Sequence, residues 1–178
     1  MVLGHSIGGT LIGMSSKACL VNALINIGAQ TAYYKDWSKG RFKLYFLWHV
    51  VFPTITGLFG YFPGKKMGLL EDIPKGVVKQ WHARRKNPDM VEQLQVAGIK
   101  TYFNQFKGTL LTLAIADDII GTEPAIKRIH ELFKNGNRNW ETIHPSDFGV
   151  DEIGHFGFFK KKFKETLWVK TLNWFDSI

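Results

Sequence analysis

The sequence predicts an α/β protein: a parallel sheet with flanking helices, interrupted by a mainly helical, aromatic-rich insert. Three observations carry this. Short apolar runs alternate with helix-compatible stretches, in the order strand–helix–strand–insert–strand–helix–strand–helix, and such alternation argues a parallel sheet. The run Thr109-Leu110-Leu111-Thr112-Leu113-Ala114-Ile115-Ala116 is apolar almost throughout, as a strand buried on both faces would be. Near the start, Val2-Leu3 leads into Gly4-His5-Ser6-Ile7-Gly8-Gly9, the pattern of a sharp strand-to-helix turn.

Residues 10–18 are expected to form a helix behind this turn, with Gly8, Gly9 and Gly13 permitting close approach to the sheet. Residues 20–27 read as a buried parallel strand closed by Gly28. The loop after it, residues 28–31, lies where open α/β sheets carry their sites. The character then changes. Trp37, Phe42, Tyr45, Phe46, Trp48, Phe52, Phe59, Tyr61, Phe62 and Trp81 crowd the next stretch, and no charged side chain stands between Lys43 and Lys65. That run approaches the length of a membrane span. Pro53, Gly57, Gly60, Pro63 and Gly64 interrupt it, so a lid or cap of short apolar helices is expected instead. Residues 81–86 make a basic patch, and residues 94–106 return the chain to the sheet.

After the strand at residues 109–116 comes Asp117-Asp118. Thr122 is placed as a helix N-cap, with Pro124 in the first turn and Ala125, Ile126, Ile129, Leu132 and Phe133 on one apolar stripe that ends at Asn135-Gly136. Residues 139–143 read as a further strand and residues 145–154 as a polar loop. An amphipathic helix is expected over residues 158–175. The organisation is thus a core piece at residues 1–31, a cap at 32–99 and the rest of the core at 100–178.

Composition narrows the classes. The chain has 178 residues, 45% of them hydrophobic, 21% charged and 14% aromatic, and a net charge of +8. That length supports one domain with a sizeable core. The cations are dispersed except at Lys160-Lys161-Lys162, which favours a solvated basic face over a nucleic-acid surface. Cys19 is the single cysteine. An intrachain disulfide is excluded, and a buried thiol in a reducing compartment is expected. No N-terminal segment has the regions of a signal peptide, so the expected location is cytoplasmic.

The turn at Ser6 carries chemistry. Gly4 and Gly8 stand where side chains would clash in a tight nucleophile elbow, and the Ile7 N–H at the helix start is aimed where an oxyanion would form. Ser6 is the candidate nucleophile, activated by a base. His155, in a glycine-flanked loop after the last strand, is the candidate general base, while His5 is expected to point elsewhere. Asp117 and Asp118 both qualify as the acid that orients the imidazole. No His-Glu-x-x-His or paired-Cys spacing marks a metal site. No acidic residue follows the glycines at dinucleotide spacing, so neither metal nor cofactor is expected.

Serine, then acid, then histidine is the α/β-hydrolase order. The chain resembles the C-terminal portion of an α/β-hydrolase-fold protein. More narrowly, it resembles a bacterial group of predicted α/β hydrolases through Gly4-His5-Ser6-Ile7-Gly8-Gly9, Trp48-His49, Asp117-Asp118 and Gly154-His155-Phe156-Gly157-Phe158-Phe159. The resemblance covers essentially the whole chain. It implies a catalytic triad of Ser6, Asp118 and His155, since laying residues 118–122 on the family's acid loop favours Asp118, with Asp117 the alternative. It also implies a serine esterase, lipase or thioesterase acting on an apolar acyl ester. A complete family member carries several strands before the elbow, and a loop among them supplies a second oxyanion N–H. The chain is therefore expected to be a fragment of a longer enzyme, with Met1 either its true start or an internal methionine. The alternative is a non-catalytic hydrolase-fold remnant or binding protein. The expected partner is a small acyl ester and not nucleic acid. Peripheral membrane contact and a homo-oligomer or swapped dimer stay open.

Overall fold

The computed structural model describes residues 1–37, 41–68, 71–84 and 87–178. Its centre is the leucine-rich strand that the sequence marks most clearly. β5 (Thr109–Ile115) lies between β2 (Ala23–Ile27) and β6 (Asn137–Ile143), and β1 (Val2–His5) lies outside β2. The order β1-β2-β5-β6 is parallel throughout, with Gly4 opposite Asn26, Ile27 opposite Leu113 and Ile115 opposite Ile143. Every residue of β2 is buried, and β6, whose first half is exposed, is the polar strand.

Alternation along the central strands divides the core in two. Ile25, Ile27, Leu111, Leu113 and Ile115 face Ile153, Phe158, Phe163 and Leu167 from the C-terminal segment. Leu24 and Leu110 face Phe103, Phe106, Ile129 and Phe133. On this second face lie α1 (Ile7–Ile12) and α6 (Glu123–Leu132), whose Ile12 and Leu132 join the same cluster.

The helix expected over residues 10–18 is displaced: α1 begins directly after Ser6 and stops at Ile12, and a 3₁₀ turn follows at Ala18–Leu20. α1 is capped by Gly13, where a Cβ would sit 2.0 Å from the Phe103 ring, so only glycine fits. Cys19 lies exposed in that 3₁₀ turn, not buried, since its neighbour Ala18 takes the inward position. The following strand begins only at Ala23. Thr122 sits at the N-cap position of α6, but its hydroxyl donates to the Asp36 carbonyl (2.8 Å) and not to the helix. α6 stops at Leu132, three residues before Asn135. The tail is not one helix over residues 158–175. A 3₁₀ turn (Lys161–Phe163) and a π-turn (Lys164–Trp168) precede α8 (Val169–Asp176), because Phe158, Phe163 and Leu167 all insert into the core. Lys170 on α8 bonds Glu141 of β6 at 2.7 Å.

Between β2 and β5 the chain builds a second cluster. α2 (Arg41–Phe46), a π-turn (Leu47–Val51) and α3 (Phe52–Phe59) form one unbroken helical run, where short separate helices were expected. Pro53 and Gly57 are carried inside it. The turn before Pro53 widens to the π form, which accommodates a residue without an N–H, and Gly60 closes the run in the left-handed conformation at φ 78°. β3 (Tyr61–Phe62) pairs antiparallel with β4 (Ile73–Pro74), and α4 (Lys75–Arg84) and α5 (Met90–Val96) follow. Phe52, Phe62, Ile73 and Val78 form the buried centre, with Trp48 and Trp81 packed against it. Asp89 caps α5 through the Glu92 N–H. The basic patch at residues 81–86 falls partly outside the described residues. Among the described residues no helix is long and apolar enough to cross a membrane.

Candidate active site

The segments that follow β1, β5 and β6 bring three distant residues together. Ser6 stands between β1 and α1 with φ 50° and ψ −123°, a conformation that costs a non-glycine residue of order 1–3 kcal/mol. Gly4 makes this turn possible, because a Cβ there would lie 2.5 Å from the Gly9 Cα. The strain lifts the Ser6 hydroxyl toward His155, whose Nε2 is 2.9 Å from Oγ. The other ring nitrogen, Nδ1, is 2.6 Å from Oδ2 of Asp118. An ionised carboxylate can only accept, so Nδ1 carries the hydrogen and Nε2 is left to accept from Ser6. The side chains of His155 and Asp118 are 5% and 1% exposed, so the pair works away from bulk water. The Ile7 N–H opens α1 immediately after the serine.

The two aspartates take different tasks. The second oxygen of Asp118, Oδ1, accepts from the N–H groups of Ile120 and Gly121, both at 2.8 Å, so its loop holds the carboxylate in place. Asp117 faces away from the ring and accepts from the N–H groups of Ile153 (2.9 Å) and Gly154 (3.0 Å). It thereby anchors the segment that delivers His155 through α7 (Gly154–Gly157). The adjacent acids thus hold the same histidine, one at its ring and one at its backbone.

Gly121 is packed under the carboxylate. A Cβ there would lie 2.6 Å from Asp118 Oδ2 and 3.1 Å from the Gly28 carbonyl. Gly121→Ala should displace the carboxylate while leaving every reacting group present. A displacement near 1 Å is worth about a 10²-fold loss in rate. Turnover measured beside an unchanged circular dichroism spectrum checks this, and full activity would refute it.

His5 does not point elsewhere. Its Nε2 lies 2.7 Å from the His155 carbonyl, and its ring is 4.9 Å from the His155 ring and edge-on to Phe156 and Phe159. As a donor to that carbonyl it ties the elbow to the backbone of His155. The sequence signal was only its place beside Ser6, which does not set the direction of the side chain. Burial above all, then the nearby His155, push the His5 pKa below its ordinary value of 6.5, against the pull of the carbonyl bond and Asp118. His130, bonded to Thr112 Oγ1 at 2.9 Å, is lowered by burial first and by Arg138 second. A folded-state value below the unfolded one means that the folded chain takes up the proton less readily. The stability involved is present above about pH 6.5 and is lost as pH falls through the folded values. The thermal midpoint should therefore drop below about pH 6.5. His5→Gln, whose amide can still donate to the carbonyl, should make that drop shallower. An identical profile in the variant would refute the assignment to His5.

A second layer ties the start of the insert to the acid loop. Trp37 Nε1 donates to the Ile120 carbonyl (3.0 Å), and Asp36 receives Nε and Nη2 of Arg128 at 2.7 and 3.1 Å. This bidentate bond to Asp36 is the main cause that raises the Arg128 pKa. Sequence reading missed these residues because their partners lie 83 and 92 positions away. Ile7, Ile119 and Phe156, each the chain neighbour of a site residue, are exposed apolar side chains. Among the described residues, no group of three or more His, Cys, Asp or Glu is placed to hold a metal ion.

Strand order, elbow and the two later loops together define the α/β-hydrolase class, and the chain has that fold. It is similar to the monoacylglycerol lipase of Paleococcus ferrophilus, with a TM-score of 0.51 and 14% identity over 97% of this chain and 66% of that one. It is also similar to Rv0554 from Mycobacterium tuberculosis, with a TM-score of 0.46 and 18% identity over 99% of this chain and 65% of that one. A third is alpha/beta hydrolase domain-containing protein 10 from mouse, with a TM-score of 0.46 and 17% identity over 98% and 61%. The chain spans less than two thirds of the length of each of these proteins. No family model and no curated protein matches the sequence.

Proposed function

We propose that this chain carries the catalytic residues of a serine hydrolase acting on an apolar acyl ester or thioester through an acyl-Ser6 intermediate. The observation that supports the reading is the continuous chain of bonds from Ser6 Oγ through both nitrogens of His155 to Asp118. In this reading Ser6 Oγ attacks the ester carbonyl carbon as its proton passes to His155 Nε2. The carbonyl oxygen becomes an oxyanion facing the Ile7 N–H, and Asp118 stabilises the imidazolium through Nδ1. Collapse breaks the bond to the leaving group, which takes the proton from Nε2. Water then attacks the acyl-serine, gives its proton to the same nitrogen, and Ser6 recovers it as the acid departs. The acid and base roles need no other side chain.

The exposed apolar side chains of Ile7, Ile119 and Phe156, next in the chain to the three site residues, support an apolar acyl group over a charged one. A fluorophosphonate probe tests the reading. It should label the folded protein once, on Ser6, and labelling should vanish in Ser6→Ala. A folded protein that takes no label would overturn the reading and leave the hydrolase fold in use as a binding scaffold.

A further inference from the structure

We propose that the helical run over residues 41–59 docks on an anionic lipid surface, lying in its plane. The inference stands on the insert alone and does not depend on the chemistry assigned to Ser6. One face of the run belongs to the core: Phe52 and Thr56 are buried, and Trp48 and Ile55 pack on the same cluster. The other face repeats every four residues as Phe42, Phe46, Val50, Thr54 and Leu58, all exposed. Four of these five are apolar, and Phe42, Phe46 and Leu58 are 83%, 58% and 77% exposed. Such a stripe on a soluble surface marks an interaction site.

Charge selects the occupant. Between Asp36 and Glu71 the sequence holds no acidic residue, yet it holds Lys39, Arg41, Lys43, Lys65 and Lys66. Asp36 does not offset them, because it is buried and bound to Arg128. Lys65 is paired with Glu71, while Lys43, next to Phe42 on the run, is exposed. An apolar stripe with lysine and arginine beside it and no acid is the make-up of a helix that sinks its apolar side chains among anionic headgroups. A second copy of the chain is the poorer fit, because face-to-face pairing would bring two like-charged stretches together.

Vesicle co-sedimentation of the full chain tests this, using phosphatidylcholine alone and phosphatidylcholine mixed with phosphatidylglycerol. Binding should favour the anionic vesicles and weaken as salt is raised. Phe42→Ser/Phe46→Ser should reduce it at least tenfold, roughly the effect of withdrawing two large apolar side chains. Lys43→Glu should reduce it about tenfold, since one attraction becomes a repulsion. Leu172→Ser, on α8, is exposed in the native chain and should leave binding unchanged. Circular dichroism of each variant reports the fold. No binding to anionic vesicles, or undiminished binding by the double variant, would overturn the proposal. So would a concentration-dependent dimer that the double variant abolishes, because the stripe would then belong to a second copy.

Discussion

Under the proposed serine-hydrolase reading, Ser6→Ala should lower ester turnover by about 10⁶-fold, and His155→Ala should do nearly the same, because nucleophile and base would act as one unit. The geometry sets this expectation. Ser6 Oγ and His155 Nε2 are 2.9 Å apart, so the proton leaving the hydroxyl goes directly to the ring. Without the base, the hydroxyl is a weak nucleophile. Without the hydroxyl, the base has only water to activate. The double variant should therefore be no worse than either single one, and that non-additivity is the sharper test. Independent effects that multiply would mean that the two residues do not share a step. Substantial turnover in either single variant would place the chemistry elsewhere.

Asp118→Asn should cost about 10⁴-fold in kcat with little change in fold, because an amide at this position reverses the hydrogen bond. Its NH₂ would donate to His155 Nδ1, the ring would carry its hydrogen on Nε2, and Nε2 could no longer accept from Ser6. Asp117 predicts the opposite signature. Asp117→Ala removes the acceptor for the Ile153 and Gly154 N–H groups, and a part-buried donor left without a partner costs about 1–3 kcal/mol. The thermal midpoint should fall, and turnover should fall less than in Asp118→Asn. Steady-state kinetics and thermal melts of both variants separate the roles. A larger catalytic loss in the Asp117 variant would exchange them.

Much of this was legible in the chain order. The elbow, the buried leucine-rich strand and the glycine-flanked histidine are local patterns with local causes: a turn with no room for a side chain at Gly4 (though Gly8, expected to be as tight, is open), burial on both faces, a segment beyond a strand end. Where reading failed, the deciding contact was remote. The Phe103 ring, 90 positions on, leaves room only for glycine at position 13, where the helix behind the elbow ends. Thr122 has the right type for a cap, yet its hydroxyl serves Asp36, 86 positions away. The insert's prolines and glycines suggested breaks, but a π-turn absorbed Pro53 and kept the helix whole.

The sequence by itself determined the α/β class, the order of elements along the chain and the candidates Ser6, His155 and the pair Asp117 and Asp118, because periodicity and turn chemistry act over a few residues. Tertiary structure settled the choice between the aspartates on the Asp118 that the resemblance favoured, and alone decided that His5 bonds the His155 carbonyl and which side chains of the helical run are exposed. Those outcomes depend on groups up to 150 residues apart in the chain, whose approach is set by sheet register and packing and leaves no local trace in composition.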